Sequence, residues 1–188
     1  MKAVMISIHP KWCTLIEEGK KTVEVRKTRP KLETPFKVYI YCTKPYTGST
    51  EDRFYIYLPP HDTPKQVNGT VIGEFICDAI FPVSCYYSDT AAKGIHSEQP
   101  YTCMTDKEMI DYLGNGVEGY GWHISKLVLY PKPRAVSDFM RPRTSKQTER
   151  DVAAAVLTQG LARRPHLKRP PQSWCYVERM WGYESEFF

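Results

Sequence analysis

Residues Gly19-Lys20-Lys21-Thr22-Val23-Glu24-Val25-Arg26 set the frame for the rest of the chain. A glycine suited to stopping a helix is followed at once by a stretch of period two, in which Val23 and Val25 point one way and Thr22, Glu24 and Arg26 the other. Upstream, residues 2–8 (KAVMISI) are rich in β-formers and read as a first strand. His9-Pro10 then opens a helix: Pro10 suits the first helical position, Trp12, Leu15 and Ile16 share a face, and Gly19 ends it. Glu24 and Arg26 therefore sit on one face of a strand, about 6–7 Å apart along it. If that face looks into a cavity, both charges lose their water and need partners or ligand groups. If the strand lies at a sheet edge, the same residues make an ordinary solvated face.

Downstream, 36–43 (FKVYIYCT) and 54–58 (FYIYL) read as strands joined by the turn-rich KPYTGSTED, with Pro59-Pro60 ending the second. Residues 69–81 read as one long strand interrupted at Gly73, a place for a bulge or for the close approach of another backbone. Residues 82–104 read as an irregular insertion. Thr105-Asp106-Lys107-Glu108 has the capping-box pattern and opens a short helix that Gly114-Asn115-Gly116 stops. Residues 120–130 return to strand until Pro131-Lys132-Pro133 breaks it, and 170–177 supply a last strand. No internal repeat is visible. The expected fold is α+β: a small β-barrel of about five to seven strands with two or three short helices, forming a single domain over 1–188.

The 188 residues, 41% of them hydrophobic, suffice for a full core without a metal or disulfide staple. Cys13, Cys42, Cys77, Cys85, Cys103 and Cys175 show no CxxC and no zinc-like spacing with histidine, so reduced thiols are expected, with no metal and no cofactor. No apolar run approaches the roughly 18–20 residues of a membrane span, and the N-terminus lacks a signal-peptide pattern; a soluble cytoplasmic protein is expected. The net charge of +5 is unevenly spread: residues 1–37 carry +5, 38–130 carry −5, 131–170 carry +7 and 171–188 carry −2. The basic stretch at 141–169 lacks aromatic residues, has a helical signal around 151–157, and reads as an insertion or mobile arm carrying a helix. Such a stretch is the electrostatic footprint expected of a phosphate-backbone partner, against the plainer reading of a solvated loop.

Gly19, Lys21, Glu24 and Arg26 together form G-x-K-x-x-E-x-R, which resembles the signature of the ASCH domain, a branch of the PUA-like β-barrel superfamily. The order of elements agrees, with Gly73-Glu74-Phe75 on the long central strand. Residues 120–125 and 170–178 resemble the phage- and prophage-type members, while 44–66, 84–104 and 141–169 stand outside the match as elaborations. The resemblance implies a cleft that takes RNA or a modified nucleoside or nucleotide. Within it Lys21 would meet a phosphate or a polarised carbonyl, Arg26 a phosphate or base edge, and Glu24 and Glu74 would accept from exocyclic amines or act as bases. Trp122 and Trp174 could stack on a base, though each is also an ordinary core residue; His123 and Ser173 complete the candidate ligand-binding set.

Some relatives are small amidohydrolases that remove an acyl group from N4 of cytidine with a Thr, a Lys and a Glu. Here Lys21 and Glu74 match, but Glu24 stands where the threonine is expected, so an acyl-enzyme route is disfavoured. A water-mediated route with Glu24 or Glu74 as base and Lys21 stabilising the oxyanion stays open, which makes Lys21, Glu24 and Glu74 the candidate catalytic residues. A metal-independent ribonuclease is the other enzymatic reading, with His123 as the histidine in motif-like context. His9 reads as a helix-cap neighbour, and His61, His96 and His166 as loop residues.

Overall fold

The computed structural model describes residues 1–45, 53–56, 64–85, 99–142 and 166–180. The opening follows the sequence closely: β1 (Lys2–Ile8), α1 (Pro10–Glu17) and β2 (Val23–Arg26). Pro10 occupies the first turn of α1. Gly19, at φ +68°, closes the helix: its N–H donates to the Ile16 carbonyl, and the Lys20 and Lys21 N–H groups donate to that of Leu15. That left-handed residue reverses the chain and sends Lys21 back toward the helix.

Next come β3 (Phe36–Cys42), the short pair β4 (Tyr55–Ile56) and β5 (Lys65–Gln66), then β6 (Val71–Cys77) and β7 (Ile80–Val83). They are followed by the single turn α2 (Gln99–Thr102), then α3 (Asp106–Leu113), β8 (Gly119–His123), β9 (Ser125–Arg134) and β10 (Trp174–Glu178). The strands form a five-stranded sheet in the order β10-β1-β3-β6-β9, a three-stranded sheet β2-β8-β7 and the pair β4-β5. β1 and β3 run parallel; the other neighbours in these sheets are antiparallel.

The class is α+β as expected, but the small barrel is not what the hydrogen bonding draws: among the described residues the sheets are open. The reason lies in two breaks. What read as one strand over 69–81 divides at Asp78-Ala79 into β6 and β7, and what read as one strand from 120 divides at Ile124 into β8 and β9. At each break the chain leaves one sheet for the other, so the two sheets pack face to face with corners rather than a continuous ladder. Pro131 and Pro133 do not end β9, which runs on to Arg134. β9 is an edge strand, where a missing N–H costs no ladder bond. Gly73 sits where the pairing of β6 with both neighbours becomes irregular, and a Cβ there would collide with the Val128 carbonyl. Residues 57–58 of the expected strand, the expected helix at 151–157 and most of the basic stretch lie outside the described residues.

The core fills both faces of the large sheet. Val4, Ile6, Ile8, Val38, Ile40, Ile72, Phe75 and Trp122 pack between it and the β2-β8 side. Ala3, Met5, Tyr39, Tyr41, Val71 and Tyr130 pack on the other face with Phe139 and Leu167. A third cluster, including Val25, Val83, Met109, Ile110 and Leu113, seats α3 against the outer face of the small sheet.

Thr105 caps α3 with the full capping box: its side chain accepts from the Glu108 N–H, and the Glu108 carboxylate accepts from the Thr105 N–H. Lys11 of α1 reaches the same carboxylate at 2.5 Å. The Lys11 hydrogen bond and then the Thr105 N–H hold the Glu108 carboxyl down to about 2, from an ordinary value of 4.5. Because the folded value lies below the unfolded one, this contribution to stability is complete above about pH 4.5 and fades as pH falls toward 2. Glu108→Gln, which can keep the capping box, is expected to flatten the acid limb of a pH-resolved urea melt over that window.

Candidate functional site

Lys21, Glu24 and Arg26 form one buried charge cluster, with 2%, 5% and 7% of their surfaces exposed. β2 pairs with β8 so that Glu24 lies opposite Trp122 and Arg26 opposite Tyr120. The face that Glu24 shares with Trp122 of β8 turns into the core between the two sheets, which decides the question the sequence left open: these charges are inside. Val25, on the other face, meets α3.

Each charge has protein partners. Arg26 Nη2 donates to Glu24 Oε1 at 2.9 Å and to the Ser7 carbonyl at 2.6 Å, while Nη1 donates to Ser173 Oγ at 3.4 Å. Lys21 Nζ donates to the Thr102 carbonyl at 2.6 Å, lies 3.4 Å from Glu24 Oε2, and stands 4.9 Å above the Trp12 ring. Glu24 Oε2 and Arg26 Nε are nevertheless buried without a hydrogen bond. One carboxylate thus sits between two cations, leaving the cluster with a net positive charge, an acceptor and a donor. The cluster lines a cavity of about 120 Å³ together with Ser7, His9, Trp12, Val25, Met104 and Tyr112. Pockets that enclose a whole drug-sized ligand run to roughly 300–1,000 Å³. This one has room for a single group or base.

Of the other residues singled out from the sequence, only Ser173 joins the cluster, through Arg26. Its carbonyl also accepts from the Ser7 N–H at 2.9 Å, while Ser7 Oγ donates to the Pro171 carbonyl at 2.6 Å. Trp174 is adjacent and half-buried: its ring packs 6.0 Å from Trp122 and 5.4 Å from Tyr176, and its Nε1 donates to Thr28 Oγ1 at 3.0 Å.

The three remaining expected residues do not line the cavity. Glu74 stands opposite Tyr39 on the far face of the large sheet. There Lys37 Nζ reaches Oε1 at 2.6 Å and the Tyr130 hydroxyl donates to Oε2 at 2.6 Å. Burial first, and then the Glu74 carboxylate beside it, push the Tyr130 hydroxyl far above the ordinary tyrosine range. Trp122 is fully buried and edge-on to Phe36 at 5.9 Å, so it presents no ring for stacking. His123 lies opposite Val23, away from Glu24, with its Nδ1 2.6 Å from Asp78 Oδ1 in a pair that is 42% and 44% exposed.

Conversely, Ser7, Trp12, Met104, Tyr112 and the Thr102 carbonyl were not legible as site residues. Trp12 carried the nearest signal, a partly buried aromatic of α1 packed against the core. The Thr102 contact depends on the α2 turn coming back beside β2, where the Thr22 N–H also donates to the Tyr101 carbonyl.

A model of the ASCH domain matches residues 6–149, which include the whole Gly19-to-Arg26 segment and the strands around it. The chain belongs to the ASCH domain family. The crystal structure of ASCH from Zymomonas mobilis superposes on this ASCH fold with a TM-score of 0.50 at 19% sequence identity, covering 94% of this chain and 88% of that one. A single-substitution variant of the same Zymomonas mobilis protein reaches 0.49 at 17% identity, over 95% of this chain and 92% of that one. At such identity the likeness is one of fold. No curated protein matches the chain. Among the described residues, no helix is long and apolar enough to cross a membrane.

Proposed function

We propose that this ASCH domain binds RNA, or a nucleoside or nucleotide, by seating one base or phosphate-sized group against Lys21, Glu24 and Arg26. The observation that carries the reading is the pair of buried, unsatisfied atoms, Glu24 Oε2 and Arg26 Nε, in a net-cationic cluster that lines a small cavity. Buried polar atoms without a hydrogen bond are rare and call for a partner, and Glu24 Oε2 has only the 3.4 Å ion pair with Lys21. A carboxylate oxygen beside a guanidinium N–H complements a base edge that offers an amine next to an acceptor, and the surplus positive charge suits phosphate. Ser173 fits as the residue that orients Arg26, and the half-exposed Trp174 as a stacking surface. The likeness of residues 120–125 and 170–178 to phage- and prophage-type members belongs to the same reading.

Lys21→Met keeps the apolar stem over Trp12 and removes the cation. Titrating a panel of single-stranded RNA and modified nucleosides at low salt should show affinity falling at least tenfold relative to the unsubstituted protein, and unchanged affinity would remove the cleft from the binding site. The same preparations, incubated with N4-acylated cytidines, separate a binder from a hydrolase: turnover lost in Lys21→Met would favour the hydrolase. Ser7, the serine that lines the cavity, is a poor nucleophile as it stands, since its hydroxyl already donates to the Pro171 carbonyl.

We treat the chain as one domain with a basic insertion. The two ends of that insertion meet: Met140 and His166 form an antiparallel bridge, the Leu167 N–H donates to the Phe139 carbonyl at 2.8 Å, and His166 Nδ1 lies 2.6 Å from the Ser137 carbonyl. Replacing 143–165, which hold five basic and two acidic side chains, by a short Gly/Ser link should therefore leave Tm within a few degrees. It should also reduce RNA affinity at low salt; undiminished affinity would deny this segment a place in the interface.

A further inference from the structure

Several cations face a carboxylate, at the surface as for Lys11, Lys20 and Lys107 or within the fold. Lys21 and Arg26 are buried, Lys37 is partly buried, and each faces a carboxylate. Lys2, Arg29 and Lys31 are exposed, and among the described residues no carboxylate pairs with them. These three gather around one loop, residues 27–35, which leaves β2 directly after Arg26.

Two open hollows flank that loop and meet along Leu32 and Glu33. One, of about 750 Å³, is lined by Arg29, Pro30, Lys31, Thr34 and Ile80. The other, of about 590 Å³, includes Lys2, Lys37, Lys126 and Arg179. Glu33 is the one acidic residue lining either hollow, against six basic ones.

Aromatic rings hold the cations in place. Arg29 lies 5.7 Å over the Tyr120 ring and Lys2 5.8 Å over the Tyr176 ring. The Lys31 N–H donates to the Tyr176 hydroxyl at 2.7 Å, and Trp174 Nε1 pins Thr28. Half-buried Trp174 and Tyr176 and a cationic loop thus form one surface, which begins one residue beyond Arg26 on one strand and one residue beyond Ser173 on the other.

We propose that loop 27–35 and the edge strand β10 form a track for the sugar-phosphate backbone of single-stranded RNA, continuous with the cleft and distinct from the 143–165 segment. Rings beside ordered cations in an open groove are what sequence-tolerant single-strand binding uses. An open track extends a cleft that holds only one group. This inference rests on the reading that the cleft binds RNA, and the test keeps the two apart.

Three ligands are titrated over a range of salt: cytidine 5′-monophosphate, a labelled mixed-sequence single-stranded RNA of about eight nucleotides, and polyglutamate. The proteins are the unsubstituted chain, Arg29→Ala/Lys31→Ala, and the control Lys65→Ala/Lys132→Ala, which removes two other exposed cations. The double loop variant should bind the mononucleotide as before, while its slope of log K against log salt for the oligonucleotide falls by about 1.4, at roughly 0.7 per lost phosphate contact. The control should keep the original slope. An unchanged slope in the loop variant overturns the track and leaves the cleft standing. An equal fall in the control overturns it as diffuse electrostatics. Stronger dependence on these residues for polyglutamate than for RNA reassigns the surface to an acidic protein. Binding of neither nucleotide nor RNA by the unsubstituted chain overturns the cleft reading and the track with it.

Discussion

Glu24→Ala is expected to destabilise the fold by about 3–5 kcal/mol, the usual result of removing one partner from a buried ionic cluster. The substitution leaves Lys21 and Arg26 facing each other inside the protein, each almost fully buried, with the intervening negative charge gone. Their remaining acceptors, the Thr102 and Ser7 carbonyls and Ser173 Oγ, are neutral and cannot offset two like charges. Total stabilities of domains this size run to about 5–15 kcal/mol, so the variant should melt early or accumulate poorly. Glu24→Gln keeps the shape and one acceptor for Arg26, and its cost should fall between that of alanine and zero. Equilibrium urea unfolding of the three proteins decides the matter. A loss below about 1 kcal/mol for Glu24→Ala would mean that water reaches the cluster freely.

Trp122→Ala should cost a similar amount, about 3–5 kcal/mol, for a different reason: it opens a cavity where the largest fully buried side chain stood, against Phe36 and Trp174. Trp122→Phe refills most of the space and also removes an Nε1 that has no hydrogen-bond partner. That variant should keep RNA affinity within about twofold. Trp174→Ala should do the reverse, with a smaller effect on Tm and a clear loss of affinity worth about 1–3 kcal/mol if a base stacks there. Parallel thermal melts and RNA titrations of these variants separate a core tryptophan from a binding one. If Trp122→Phe proved the weaker RNA binder of the two, the roles assigned to the rings would have to be exchanged.

How much of this was readable beforehand depended on the range of the interaction. Features governed by neighbours in the chain were legible: Pro10 and Gly19 bounding α1, the capping box at Thr105, and the two-residue period that puts Glu24 and Arg26 together. The sign of their environment was not, because the same alternation describes a solvated edge and an interior face. Only the pairing of β2 with β8, and the packing of that face on β1 and β3, chooses between them. Glu74 was misplaced because the pairing of β6 is irregular on both sides of it, so counting residues along the strand does not tell which face a side chain takes. The prolines of β9 misled because local rules do not know that a strand will be at an edge. Ser7 and Thr102 were invisible for a simpler reason: the groups that matter are backbone carbonyls, which every residue carries.

The strand order has a consequence for synthesis. β1 is made before the other strands of its sheet, yet it lies between β3 and β10, and β10 is made after all of them. Until residues 174–178 leave the ribosome, one side of an apolar strand, Ala3 to Ile8, keeps its N–H and C=O groups open to any other extended chain. Ser173 and Pro171 arrive with that last strand, and Arg26 and Ser7 acquire those partners only then. The nascent protein therefore completes its charge cluster and closes its vulnerable edge in a single late event. Premature termination before β10 should leave a chain that aggregates rather than a partly active one.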